Sequence, residues 1–122
     1  MERKIRRGDI FYADLALGIG SEQSGCRPVL ILQNDTGNKH SKTIIAAIIT
    51  SRTTTKTKMP THCLIKAQQG LGLDSLVMLE QIRTIDKVRL KEYIGTLEAG
   101  TMSKIDKALS VSVGLRKYQA KG

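Results

Sequence analysis

Two runs of the sequence, PVLILQ (28–33) and TIIAAIIT (43–50), are almost unbroken in apolar side chains and rich in β-branched ones. Neither alternates, and each is too short to be a stable helix. Each is therefore expected to be a short strand buried on both faces. That expectation governs the rest of the chain, because such a strand needs neighbours in its own sheet and a cover on either side.

The remaining segments supply both. GDIFYAD (8–14) is a strand candidate, THCLIK (61–66) alternates and suits a strand packed on one face, SLVMLEQIRT (75–84) reads as a long strand, and 93–97 as a last short one. Turn formers separate them: the loop 15–26 with Gly18, Gly20 and Gly25; NDTGN (34–38), which a single helical turn can follow; the cationic SRTTTKTKMP (51–60); GLGLD (70–74); and DKVRL (86–90), a short helical turn. From Thr101 the period changes. Met102, Ile105, Ala108/Leu109 and Ser112/Val113 fall at helical spacing, which predicts one amphipathic helix to about Tyr118 with Thr101 as its N-cap. The expected fold is mainly β with one C-terminal helix: a small, strongly bent barrel or sandwich in a single domain over 1–122, strand-rich over about 6–98. No linker, repeat or low-complexity segment divides it.

Twenty Lys+Arg against eleven Asp+Glu give a net charge of +9, which favours a polyanionic partner, although a basic protein can also be merely soluble. The only aromatic residues are Phe11, Tyr12, Tyr93 and Tyr118, too few for a sheet that stacks several bases on an aromatic platform. Strands at the front of the chain argue against a helix-turn-helix. Cys26 and Cys63 match no CxxC or Cys/His zinc spacing and read as reduced thiols. No apolar run approaches the ~18 residues of a membrane span, and MERKIRRGD lacks a signal-peptide core, so the expected location is the cytoplasm, with no membrane partner.

Nucleotide-cofactor motifs are absent. Gly18-Ile19-Gly20-Ser21-Glu22-Gln23 lacks the third glycine of GxGxxG and precedes a strand, and there is no Walker A sequence. The possible metal ligands, His40, His62, Cys26, Cys63, Asp9, Asp14, Asp35, Glu22, Glu80 and Asp86, show no recognisable ligand spacing. A nuclease built on this chain is thus expected to use neither metal nor other cofactor, which points to RNA, whose 2′-OH is an internal nucleophile. Metal-free cleavage needs a group to take the 2′-OH proton, a group to protonate the leaving 5′-oxygen, and donors for the phosphoryl charge. His40 and His62 titrate in the right range. His40 sits in a lysine-flanked turn, however, and His62 at the start of a half-buried strand, where a structural or binding role fits each better. Arg27 can bind phosphate through two hydrogen bonds from a backbone fixed by Pro28, though a surface salt bridge would equally explain it. Thr50 can present its hydroxyl at a sheet end or simply close a strand.

Five blocks then fall in order: RRGDIFYADL (6–15), GSEQSGCRPVLILQNDTGNKHS (20–41), AAIITS (46–51), MPTHCLI (59–65) and LDSLVMLEQIRTIDKVRL (73–90). Together they resemble the MazF/PemK family of bacterial toxins, especially its branch in Gram-positive bacteria, over about Arg6 to Leu115. The resemblance implies an SH3-like barrel with a C-terminal helix, acting as a homodimer without metal. It also implies a ribosome-independent endoribonuclease that cuts single-stranded RNA within short specific sequences until a cognate MazE-like antitoxin inhibits it. Carried over by position, Arg27 and Thr50 are the pair tied to cleavage. Ser21, Glu22 and Gln23 lie in the loop used near the RNA, while His62, Glu80, Gln81, Asn34 and Asp35 match positions that line or support the RNA site. Ser24 stands where the branch has a glycine. An arginine is a poor proton acceptor at neutral pH, so Arg27 is expected to stabilise phosphoryl charge and possibly to protonate the leaving oxygen, with Glu22, His62 or solvent as base. Two rivals stand beside this reading: a toxin of the same fold that poisons DNA gyrase, and a basic barrel that only binds RNA.

Overall fold

The computed structural model describes residues 4–16, 25–51, 59–68 and 71–116. Its elements are β1 (Asp9–Asp14), β2 (Cys26–Ile31), α1 (Asp35–His40), β3 (Thr43–Thr50), β4 (His62–Ile65), β5 (Ser75–Asp86), a 3₁₀ turn at Lys87–Arg89, β6 (Leu90–Thr96) and α2 (Ala99–Ser112). The six strands form one antiparallel sheet in the order β4-β5-β3-β2-β1-β6. The two apolar runs are the two central strands. Successive residues of β3, Ile48 and Ile49, are each at most 1% exposed although they face opposite sides of the sheet. On one side Leu30, Ala47, Ile49 and Leu79 pack with Ile105 and Ala108 of α2; on the other, Phe11, Val29, Ile31, Ile44, Ile48 and Met78 form a second layer.

The sheet is bent where its ladders slip. β3 pairs with β5 as Ala47↔Ile82 and then Ile48↔Met78, so Leu79, Glu80 and Gln81 bulge out of the ladder, and β1 slips twice against β6. Bulges of this kind increase local twist and bend a strand. The small barrel expected from the sequence takes the form of one bent sheet whose edge strands, β4 and β6, are not paired with each other among the described residues. No helix among those residues is long and apolar enough to cross a membrane.

The C-terminal helix differs from its expected bounds at both ends. Leu97 closes the sheet, its N–H donating to the Gly8 carbonyl, and the chain turns directly into helix, so Glu98 is the N-cap, without a side-chain cap bond, and Thr101 lies inside the first turn. At the other end Gly114 takes a left-handed conformation (φ 79°); its N–H donates to Val111 O, and Leu115 N–H donates to Ser110 O. This Schellman arrangement stops α2 at Ser112, short of Tyr118, which lies outside the described residues.

The end of the sheet away from Arg27 is tied together by Arg7. Its backbone N–H donates to Asp35 Oδ1 (2.7 Å), its Nε to Leu32 O (2.8 Å) and its Nη2 to Asp106 Oδ1 of α2 (2.6 Å). One side chain therefore links the start of β1, the end of β2 and the helix. Replacing it, Arg7→Ala, is expected to lower the unfolding free energy by about 1–2 kcal/mol. Most of this comes from a Leu32 carbonyl that loses its donor, because the half-exposed Asp106 pair is weak. Urea denaturation checks the value; an unchanged midpoint would remove Arg7 from the framework.

Candidate active site

Pro28 shapes the site. It lies inside β2, opposite Tyr12 of β1, and has no N–H to give to β3; the β2–β3 ladder begins only at Val29↔Ile48. Two residues beyond that pair, on the two diverging strand ends, stand Arg27 and Thr50. Between them opens a cleft of about 230 Å³ lined by Arg27, Thr50, Tyr12 and Pro28, with the turn Leu71-Gly72-Leu73 on a further wall. Thr50 is buried and also paired to Leu76 of β5, whereas Arg27 is half-buried; neither side chain lacks an interaction. A guanidinium and a hydroxyl converging on one opening form a donor set for a tetrahedral anion.

The stem of the loop that leads into Arg27 is well defined. Leu15 N–H donates to Gly25 O and Gly25 N–H to Ala16 O, both at 3.0 Å, while Asp14 Oδ1 accepts the N–H of Ala16, which holds a left-handed φ of 58°. Two arginines brace it from outside. Arg83 Nη1 donates to Leu15 O (3.3 Å) and Arg89 Nη1 to Asp14 O (3.4 Å). Ser21, Glu22 and Gln23, with Ser24, lie between these stem residues but outside the described ones.

His62, Glu80 and Gln81 gather at the β5 bulge instead. His62 Nε2 meets Glu80 Oε2 at 2.9 Å, and Thr61 Oγ1 donates to Glu80 Oε1 at 2.9 Å. The His62 side chain is only 3% exposed, its Nδ1 has no partner among the described residues, and it does not line the cleft. As a base for a group seated between Arg27 and Thr50 it is therefore poorly placed. Burial alone would raise the Glu80 carboxyl, but hydrogen bonds from His62, its own backbone N–H and Thr61 outweigh it and hold the group below its usual value.

Asn34 and Asp35 are not part of the cleft. They follow the opposite end of β2, seven and eight residues past Arg27, a path of more than ~20 Å at ~3.3 Å per residue. Asn34 caps α1 by accepting Gly37 N–H, and Asp35 accepts the Arg7 N–H and a hydrogen bond from the buried Asn38, which together hold its carboxyl below the ordinary range. Both are framework residues. Conversely, Tyr12 and the Leu71-Gly72-Leu73 wall carry no local signal in the sequence. The wall reads only as a turn, and the fold brings it to the cleft through the paired Gln68–Leu71 bridge.

Residues 6–113 match the family described as PemK-like, MazF-like toxin of type II toxin–antitoxin system. The chain belongs to that family. The match is to the family as a whole and does not separate its branches. Among solved structures, an endoribonuclease in complex with its cognate antitoxin from Mycobacterial species is 29% identical, with a TM-score of 0.75 over 92% of this chain and 97% of that one. A second Mycobacterial endoribonuclease is 27% identical, with a TM-score of 0.73 over 92% and 93%. MazF from Deinococcus radiodurans, at 22% identity, shares the fold with a TM-score of 0.77 over 93% and 99%.

The Glu80 cluster predicts a pH dependence of stability. Because the folded-state value is lowered, the fold favours the carboxylate, so the stabilisation is present above the usual value of 4.5 and is lost as pH falls through the lowered one. Glu80→Gln is expected to melt a few degrees below wild type at pH 7, with the gap closing as pH drops below about 4.5. Thermal unfolding between pH 7 and pH 3 tests this. A gap that does not change with pH would contradict it.

Proposed function

We propose that this toxin is a single-domain, sequence-specific, ribosome-independent endoribonuclease that cuts single-stranded mRNA at the Arg27–Thr50 cleft without a metal. The observation that carries the reading is the convergence of Arg27 and Thr50 where Pro28 ends the β2–β3 ladder. The endoribonucleases among the similar structures and the net charge of +9 support it.

In this reading the scissile phosphate sits in the cleft. The 2′-oxygen attacks phosphorus as its proton leaves, a 2′-O–P bond forms, the P–O5′ bond breaks, and the 5′-oxygen takes up a proton. Arg27 donates hydrogen bonds to the phosphoryl oxygens, where negative charge accumulates in the transition state, and can supply the proton to the leaving oxygen. Thr50 steadies the same phosphate through its hydroxyl. Glu22 or solvent takes the 2′-OH proton, since His62 is held at the β5 bulge. The products are a 2′,3′-cyclic phosphate and a 5′-OH.

The toxin works in the cytoplasm as a homodimer and is silenced by a cognate MazE-like antitoxin. Antitoxin-bound forms of two of the similar structures support that partner. A basic surface suits an acidic, initially disordered antitoxin tail that folds on binding and competes with RNA.

Purified protein incubated with a long transcript in EDTA is expected to give discrete fragments ending in 2′,3′-cyclic phosphate, and a substrate with one 2′-deoxy sugar at the scissile position to resist. Cleavage of the deoxy substrate at the all-ribose rate would refute the mechanism. Retarded but uncut RNA would make the protein a binder, and inhibition of gyrase with RNA untouched would make it a poison.

A further inference from the structure

The cleavage step uses only part of the cleft. Beyond Arg27 and Thr50 its walls are Tyr12, Pro28, Ile49 and the Leu71–Leu73 turn. Leu71 is anchored in the core, but Leu73 is 65% exposed, a large apolar side chain held at the rim, and beside it Gly72 leaves open space where a Cβ would stand. The Tyr12 ring packs on the core under α2, and among the described residues its hydroxyl has no hydrogen-bond partner. An aromatic ring, aliphatic walls and an unused hydroxyl thus lie beside a guanidinium.

Those features select a class of ligand. A bare phosphate would satisfy Arg27 and make no use of the apolar walls. A nucleobase uses all of them: it has a π face to stack, an edge that needs hydrogen bonds, and a ribose that tethers it to the phosphate. At about 230 Å³ the cleft is smaller than the ~300–1,000 Å³ pockets that enclose drug-sized ligands, so it suits one base beside one phosphate rather than a run of nucleotides.

We propose that this half of the cleft seats one unpaired base flanking the scissile phosphate, packed on Tyr12 with Leu73 at the rim, and that it contributes to the choice of cleaved sequence. The proposal rests on the nuclease reading above.

The test begins by mapping wild-type cuts on a mixed-sequence transcript. For one cut site, three oligonucleotides with a 2′-deoxy sugar at the scissile position are then compared: intact, abasic on its 5′ side and abasic on its 3′ side. Tyr12→Ala is expected to weaken binding of the intact oligonucleotide about ten-fold, as loss of base stacking does, with Leu73→Ala losing several-fold and Tyr12→Phe retaining most affinity. One abasic substitution should weaken wild-type binding to a similar degree, and Tyr12→Ala should cause no further loss on that oligonucleotide. Full affinity in Tyr12→Ala overturns the proposal, as do losses that multiply with both abasic sites or a loss confined to an antitoxin peptide. If Tyr12→Ala does not fold, the same cycle run with the exposed Leu73→Ala decides it. A wild type that cuts no RNA sinks the nuclease reading itself, and this proposal with it.

Discussion

The missing N–H of Pro28 is the constraint around which the site is organised. β2 and β3 are held together over Val29–Ile31 and Ala46–Ile48 by a ladder buried on both faces, and the ladder ends where proline cannot donate. Had it continued, Arg27 and Thr50 would be ordinary neighbours in a closed sheet. Because it stops, the two strand ends part, and the rigid centre of the fold presents a cation and a hydroxyl at the edge of an opening. Placing such groups on packed strands rather than on a loop holds their geometry with little reorganisation.

The rest of the molecule serves that opening from two directions. At the far end of β2, Arg7, Asp35, Asn38 and Asn34 knit β1, α1 and α2 into a frame. At the near end, Arg83 and Arg89 grip the carbonyls of Leu15 and Asp14, fixing the stem of the loop that enters Arg27, while the His62–Thr61–Glu80 cluster pins the β5 bulge to β4. The high positive charge is thus partly structural. Several arginines spend donors on carbonyls, and Arg27 stands out because it borders a cleft.

Much of the fold was legible because burial on both faces leaves a plain mark: the apolar runs at 28–33 and 43–50 became the two central strands. The ends of α2 were less so. A helical period does not reveal that Leu97 must reach the core before the turn, and the stop depends on Gly114 adopting a positive φ, which a periodic count passes over. The site was legible only through resemblance. Arg27 and Thr50 are far apart in sequence and meet only through strand register. Asn34 and Asp35 sit close to Arg27 in sequence yet at the other end of a strand, and Tyr12 and Leu73 belong to segments that local pattern reads as ordinary strand and turn. Long-range pairing, not local chemistry, decides who lines the cleft.

The central claim is that the Arg27 guanidinium stabilises charge as RNA is cut, and the most direct test is the single-turnover rate on saturated, pre-bound RNA. Arg27→Ala is expected to fold with the wild-type melting profile, still bind, and cut at least ~100-fold more slowly. A folded Arg27→Ala protein that cuts at the wild-type rate would return Arg27 to the many surface charges of this basic chain and leave the cleft without its catalyst.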